Sequence, residues 1–243
     1  MLSILTDIVT HAQPVGVLNI LRLTHEEDGV AIDSVSDDLS LILLAKTHEP
    51  IPDFTGVFGI ADLGKLSYLV KNNEYREDAK ITIKSEERNG VTVPVYAKFE
   101  NKNRDFINVY RFVNKNILDE KLKKVEFKGA KWDVEFVPSV ASINRLKNMA
   151  GAHTSETFCQ LKSKDGNLIF YFGDASSHAG EFVFEPNLTG TTNNNFYWPI
   201  SHLLAILHLD GDKKMYITDS GAIKITVDSH LIKYDFIIPA AQK

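Results

Sequence analysis

The sequence contains very little of what disulfide frameworks, cysteine metal sites or membrane spans require. Cys159 is the single cysteine in 243 residues, so no disulfide can form within the chain and no cysteine cluster can hold a metal. The apolar run Leu39–Ala45 is far too short to cross a bilayer, which takes about 20 apolar residues. The first ten residues carry Asp7 and no basic side chain, unlike a secretory signal peptide. We therefore expect a cytoplasmic protein in a reducing compartment, without a membrane partner.

Glycine, proline and net basic charge are also scarce. The chain has 14 glycines and 8 prolines, too few for a low-complexity protein, and its 44% hydrophobic and 24% charged residues are typical of folded domains. The formal net charge of −5 argues against a protein that coats nucleic acid with a uniformly basic surface. One basic face remains compatible with this balance. The length suits one large domain or two domains of about 120 residues.

The common catalytic motifs are absent from the sequence. It contains no Walker A pattern, G-x-G-x-x-G, G-x-S-x-G or H-E-x-x-H. No two of the 8 histidines are four residues apart, so no helix-borne zinc site is predicted. Asp174, Ser176 and His178 are the residues from which a hydrolase would have to be built, but neighbours in one loop seldom form a triad, and a polar turn is the simpler interpretation. We predict a protein that is not an enzyme and has no metal or cofactor.

Hydrophobic periodicity predicts helices in two pairs separated by strands. The predicted helices are Ser3–Ala12, Asp62–Asn73, Ser139–Ala150 and Ser201–Leu209, with Ser3 and Asp62 as amino-terminal caps and Gly151 as the end of the third. The predicted strands are Val15–Thr24, Val30–Asp33, Leu39–Thr47, Lys80–Ser85, Val91–Phe99, Phe106–Val113, Lys131–Val137, Thr157–Lys162, Asn167–Phe172, Glu181–Glu185, Lys214–Thr218, Ala222–Asp228 and Leu231–Ile238.

The two halves of the chain repeat this order of elements. The first and third predicted helices start at Ser3 and Ser139, and the second and fourth start at Asp62 and Ser201. The separation along the chain is nearly the same in both pairs. We therefore predict an α+β fold made of a duplicated domain, residues 1–113 and 131–243, each half with two helices packed on antiparallel sheets. The stretch 114–130 is charged and non-periodic, and it is predicted to be an exposed connector.

Several segments resemble the ring-shaped DNA sliding clamps, the family of proliferating cell nuclear antigen and of the clamps of tailed phages. The segments that carry the resemblance are Trp198–Ala205, Lys214–Ile217, Ala222–Val227, His230–Ala240, Phe136–Ser139, Gly173–Asp174, Gly180–Phe184, Asp33–Leu41 and Ile60–Leu66. The resemblance implies a closed homotrimer of six similar domains around duplex DNA, with helices lining the hole. Such a ring tethers a DNA polymerase to its template as a processivity factor in replication and is opened by an ATP-driven clamp loader. The alternative is a structural or assembly protein of a phage with a similar duplicated fold.

The resemblance also implies three sets of functional residues. The DNA-facing residues would be Lys65, Lys71, Arg76, Arg145, Lys147, His202 and His208. The subunit interface would pair Phe106–Val113 with Glu181–Glu185 of the next subunit, with Tyr110, Phe182, Val183 and Phe184 at the contact. The partner-peptide pocket would be formed by Leu39, Leu41, Ile117, Leu118, Val125, Ile238, Pro239 and Ala240. The tail lacks the acidic extension of the family, and the helices are only modestly basic.

Overall fold

The computed structural model describes residues 1–88, 90–122, 129–174, 176, 178–193 and 195–241. The chain divides into two compact units. The first unit consists of Met1–Asp37, Leu43–Val125 and Ser229–Tyr234, and the second of Asp38–Ile42, Glu126–Asp228 and Asp235–Lys243.

The first unit combines helices with two antiparallel sheets. Its elements are α1 (Leu2–Ala12), β1 (Ile20–Glu26), β2 (Gly29–Val35), β3 (Ile42–Thr47), β4 (Val57–Ala61), α2 (Leu63–Lys71), β5 (Lys80–Arg88), β6 (Val91–Glu100), β7 (Ile107–Arg111), β8 (Val113–Asn114) and α3 (Lys115–Lys121). One sheet contains the strand order β8-β4-β1-β2-β3 and the other β5-β6-β7. Helices α1 and α2 pack on each other, with Leu5, Ile8, Leu66 and Leu69 buried.

The second unit repeats the helix pair and the two sheets. Its elements are β9 (Val134–Phe136), α4 (Val140–Ala152), β10 (Phe158–Lys164), β11 (Asn167–Phe172), β12 (Gly180–Glu185), β13 (Trp198–Pro199), α5 (Ile200–Leu207), β14 (Asp212–Thr218), β15 (Ala222–Asp228) and β16 (Ile232–Pro239). The strand orders are β12-β11-β10-β13 and β16-β15-β14-β9. Helices α4 and α5 pack on each other, and Leu146, Leu203 and Ile206 are buried.

The four predicted helices are present, and two of them are capped by the residue at which the sequence predicted them to start. The Asp62 carboxylate accepts from the Lys65 amide at 3.1 Å, and the Ser139 hydroxyl accepts from the Ser142 amide at 3.0 Å. The predicted end of the first helix at Ala12 is also observed, but other predicted ends are wrong. Ser3 and Ser201 lie inside α1 and α5, which begin one residue earlier without a side-chain cap, and α4 continues through Gly151 to Ala152.

The predicted strands differ from the observed ones mainly at their starts. Val15 belongs to a short 3-10 turn that includes Pro14, and the strand begins only at Ile20. Leu39 lies in a turn with φ of 61°, next to the Asp38 carboxylate that accepts from the Ser40 amide at 3.0 Å. The prediction omitted β4, a five-residue strand that contains Gly59.

The sequence predicted an irregular, exposed connector, but part of the connector is helical. Its first part is α3, which begins where the Asn114 side chain accepts from the Ile117 amide at 3.1 Å. Leu118 is fully buried, and its Cδ2 lies 2.5 Å from where a Cβ on Gly59 would stand. This close approach to β4 stabilises a helix too short to be stable alone. The following residues, Val125 among them, lie outside the described residues.

Candidate functional site

Exposed basic side chains lie on one helix of each pair. Lys65 and Lys71 project from the exposed face of α2, and Arg145 and Lys147 are exposed on α4, whereas the apolar side chains of both helices are buried. Arg76 is exposed in the turn after α2. Each helix therefore presents cations to solvent and an apolar stripe to its own unit.

The two histidines predicted to face DNA have different environments. His208 is exposed at the end of α5, where its Nδ1 lies 2.8 Å from the Leu204 carbonyl oxygen. His202 is buried, and its Nε2 lies 2.9 Å from the Ser40 hydroxyl. Burial lowers the pKa of His202 below its usual value, against the opposing charge of Asp38. The assignment of His202 to a DNA-facing surface is therefore wrong: the side chain is inside the second unit.

The two strands predicted to form the subunit interface are edge strands of their sheets. β7 ends the order β5-β6-β7, and β12 ends the order β12-β11-β10-β13, within the described part of the chain. The Phe106 carbonyl oxygen accepts from the Asn101 amide at 3.1 Å, and the Phe112 amide donates to the Val95 carbonyl oxygen at 2.9 Å. Because antiparallel pairing alternates along a strand, the amides of the residues between, Ile107, Val109 and Arg111, point away from β6.

The apolar residues that these edges expose are not all those that were predicted. Tyr110 is buried in the first unit, its hydroxyl donates to the Ala61 carbonyl, and burial raises the pKa of this phenol. Phe184 is fully buried, while Phe182 and Val183 are half-buried. Tyr110 and Phe184 are thus core residues. The exposed apolar side chains of β7 are Ile107 and Val109, at 48% and 42% exposure.

The predicted partner-pocket residues divide into exposed and buried groups. Leu39 and Ile117 are exposed, and Pro239 and Ala240 are half-buried. Leu41, Leu118 and Ile238 are buried and offer no surface to a partner, so the predicted direct contact with a partner peptide is not open to them. Val125 lies outside the described residues.

The cluster considered as a hydrolase site is a turn. The amide and the hydroxyl of Ser176 both donate to Asp174 Oδ1, at 2.8 and 2.7 Å, and His178 is exposed. The serine hydroxyl is therefore directed to a carboxylate and not to a histidine base. Within the described residues, no three His, Cys, Asp or Glu side chains are grouped as a metal site. Among the same residues, no helix has the length and apolar character to span a membrane.

The comparisons with known proteins rest on structure alone. No family model matches the sequence, and no curated protein matches it. A solved structure of A. fulgidus PCNA with the C-terminal region of FEN-1 bound is 9% identical, with a TM-score of 0.70 over 100% of this chain and 96% of that chain. PCNA of Thermococcus kodakaraensis is 9% identical, with a TM-score of 0.68 over 99% of this chain and 97% of that chain. The chain has the fold of a DNA sliding clamp.

The clamp fold accounts for the repeated organisation of the chain. Each unit has a helix pair and two antiparallel sheets, as the duplicated-domain prediction required. Sequence reasoning missed one residue on the exposed face of α2 that carries Lys65 and Lys71. This residue is Tyr68, which is 72% exposed. Its signal was present, because an aromatic residue stood outside the apolar stripe of an otherwise amphipathic helix.

Proposed function

We propose that the chain is a sliding clamp, a ring of identical subunits that encircles duplex DNA and holds a DNA polymerase on its template. The observation that carries the proposal is the whole-length similarity to PCNA structures, with a TM-score of 0.70 over 100% of this chain. The proposed role requires no covalent chemistry and no cofactor. Processivity follows from topology, since a closed ring can leave its template only at an end or after opening.

The ring would close through edge strands. An unprotected sheet edge is a hazard that proteins cover or use for association. We assign β7 of one subunit to β12 of the next, a head-to-tail contact that repeats until the ring closes as a homotrimer. The outward amides of β7 supply the donors, and Ile107 and Val109 supply exposed apolar area beside them. Phe182 and Val183 are the half-buried contributions of β12.

DNA would be held loosely inside the ring. The exposed cations assigned to the DNA-facing surface are Lys65, Lys71, Arg76, Arg145 and Lys147, with His208 as a lesser contributor. Few phosphate contacts give weak, salt-sensitive and sequence-independent attraction. Because the whole chain carries a net charge of −5, these helix faces would attract phosphates where the remaining surface does not. Retention would therefore depend on encirclement.

Partners would dock through a short peptide. A. fulgidus PCNA binds the C-terminal region of FEN-1, and a comparable mode here would use the exposed Leu39 with the half-buried Pro239 and Ala240 of the second unit. Apolar peptide side chains in a shallow groove give binding that is strong enough to tether and weak enough to exchange. The polymerase and an ATP-driven clamp loader would share this site.

The test combines assembly with activity. Light scattering on the purified chain should give a trimer, and the trimer with its loader should lengthen polymerase products on a primed circular template. Products should remain short when the chain is omitted. A larger assembly without any polymerase effect would favour a phage structural protein instead, and a monomer without that effect would contradict the clamp.

A further inference from the structure

An exposed tyrosine stands between two lysines on helix α2. Tyr68 is 72% exposed, and Lys65 and Lys71 lie three residues before and after it. Residues three apart on a helix project from the same face, so the three side chains form one row. The opposite face of α2, with Leu66 and Leu69, is buried.

The packing of the first unit does not explain why an aromatic side chain stands at position 68. A side chain with 72% of its surface in solvent contributes little apolar burial. Among the described residues, none hydrogen-bonds to the Tyr68 hydroxyl or stacks on its ring. The phenol is therefore available to a ligand.

The surface beside the ring has the donors that a polyanion requires. A shallow groove of about 510 Å³ is lined by Gly64, Ser67, Tyr68, Lys71, Asn72 and Asn73. This lining offers an ammonium, a phenol, a hydroxyl and two amides, and no carboxylate. The side-chain oxygen Oδ1 of Asn72 already accepts from the Glu74 amide at 3.0 Å, which leaves the side-chain nitrogen of Asn72 as its donor group.

We propose that Tyr68 is a DNA contact, whose hydroxyl donates to a phosphate oxygen while Lys71 neutralises the neighbouring phosphate. This inference rests on the proposed function, since it assigns the sugar–phosphate backbone of duplex DNA as the ligand of α2. Tyrosine hydroxyls and lysines are among the groups that contact phosphates without reading sequence. A protein partner would be expected to find further apolar side chains around the tyrosine, but the other lining residues, Gly64, Ser67, Lys71, Asn72 and Asn73, supply no aliphatic or aromatic side chain.

The two residues would contribute to binding in distinguishable ways. Lysine binding releases counterions, so each phosphate neutralised adds about 0.9 to the slope of log K against log salt. A neutral phenol forms its hydrogen bond without releasing a counterion. Loss of the Tyr68 hydroxyl should therefore weaken binding by a similar factor at every salt concentration, whereas loss of the Lys71 charge should also lower the slope.

The experiment measures the fluorescence anisotropy of a labelled short duplex over a series of salt concentrations, with the full-length chain. Tyr68→Phe should weaken binding by roughly three- to tenfold, the effect of one hydrogen bond to a charged group at an exposed site, with the slope unchanged. Lys71→Gln should lower the slope by about 0.9. Tyr171→Phe, a half-buried tyrosine of β11, is the matched control and should bind as the wild type does. Light scattering should give the same assembly for all four proteins.

The possible outcomes separate this inference from the proposed function. If the wild type binds the duplex and Tyr68→Phe binds equally well, the phosphate contact is overturned while the clamp proposal stands. Unchanged DNA binding together with lost polymerase stimulation would assign Tyr68 to a protein partner and also overturn it. If the wild type neither binds the duplex nor stimulates a polymerase, both proposals fail.

Discussion

Arg22 on β1 faces Asp119 on α3, with 3.6 Å between Nη2 and Oδ1. The Arg22 side chain is only 12% exposed, so this guanidinium joins the first part of the connector to the sheet of the first unit. Its second carboxylate neighbour is Asp33, the cross-strand partner on β2, at 3.7 Å. The position of α3 thus depends on an interior charge of the first unit as well as on the Leu118 contact.

Replacing Arg22 should destabilise the chain in a pH-dependent way. Burial raises the pKa of Asp33 and Arg22 opposes that rise, so Arg22→Met should raise it further. When a carboxyl group has a higher pKa in the folded protein than in the unfolded chain, the folded protein loses stability as the pH rises above the pKa of the unfolded chain. Urea unfolding should therefore show a loss of about 1–3 kcal/mol near neutral pH, and a smaller loss below pH 3.8, the ordinary value of Asp33.

A second variant controls for the loss of an exposed cation near Asp119. Lys115 pairs with the same carboxylate from an exposed position, so Lys115→Met should cost less than about 1 kcal/mol. Its cost should also change less between the two pH values than the cost of Arg22→Met. Equal pH dependence in the two variants would contradict the role assigned to Arg22.

The contact between Gly59 and Leu118 predicts strong coupling between two substitutions. A Cβ on Gly59 would stand 2.5 Å from Leu118 Cδ2 and 3.1 Å from the Leu21 carbonyl oxygen. Gly59→Ala should cost about 1–3 kcal/mol through overpacking. Leu118→Ala removes the clash with Cδ2, so Gly59→Ala should cost less in that background than in the wild type. A double-mutant cycle should give a coupling free energy of at least about 0.5 kcal/mol. If the free-energy costs of the two substitutions were additive, Leu118 of α3 would not pack against Gly59 of β4.

The sequence predicted elements whose signals are local and missed those that depend on distant contacts. Asp62 and Ser139 cap their helices by accepting from the amide three positions later, and both are the residues at which the sequence predicted a helix to start. Helix α3 has no comparable periodicity, because a single residue, Leu118, carries its buried contact. Its stability comes from β4, which is far away in the sequence.

The candidate surfaces were harder to predict because apolar residues occupy both faces of the relevant strand. Between Phe106 and Val113, Tyr110 and Ile107 have similar hydrophobic character but opposite orientations, and only the pairing with β6 decides which is buried. His202 poses the same problem on α5, because its buried ring contacts Ser40, a residue far away in the sequence. Sequence alone could name the strand that lies at the edge of its sheet but could not select its exposed side chains.

The outward amides of β7 predict an effect of proline on assembly. Val109→Pro removes a donor that β6 does not use, and proline is tolerated on edge strands, so the chain should stay folded. If β7 pairs with the next subunit, light scattering should show the trimer dissociating at higher concentrations than for the wild type. Val109→Thr keeps both the amide and the branched shape and should assemble normally. An intact trimer in a folded Val109→Pro variant would place the interface elsewhere.

Removal of two exposed apolar side chains tests the proposed partner groove. Leu39→Ala combined with Pro239→Ala should weaken binding of the carboxyl-terminal peptide of the cognate polymerase by at least roughly tenfold, because truncated anchors cost more than about 1 kcal/mol each. Titration calorimetry measures the change. Leu231→Ala removes a comparably exposed apolar side chain outside the groove and should bind normally. Wild-type affinity in the double variant would show that the peptide docks at another site.

Charge reversal on the helices tests the proposed DNA-facing surface. Lys71→Glu with Arg145→Glu replaces one exposed cation on α2 and one on α4. Phosphates should then be repelled where they were attracted, so loading and processivity should fall while the mass of the trimer stays the same. Lys84→Glu with Lys164→Glu changes the net charge by the same amount on strands β5 and β10, and should retain processivity. Lowering the salt concentration should widen the difference between the two double variants, because screening of exposed charges weakens. Equal processivity in both variants would indicate that net charge matters and that these helix faces do not meet the DNA.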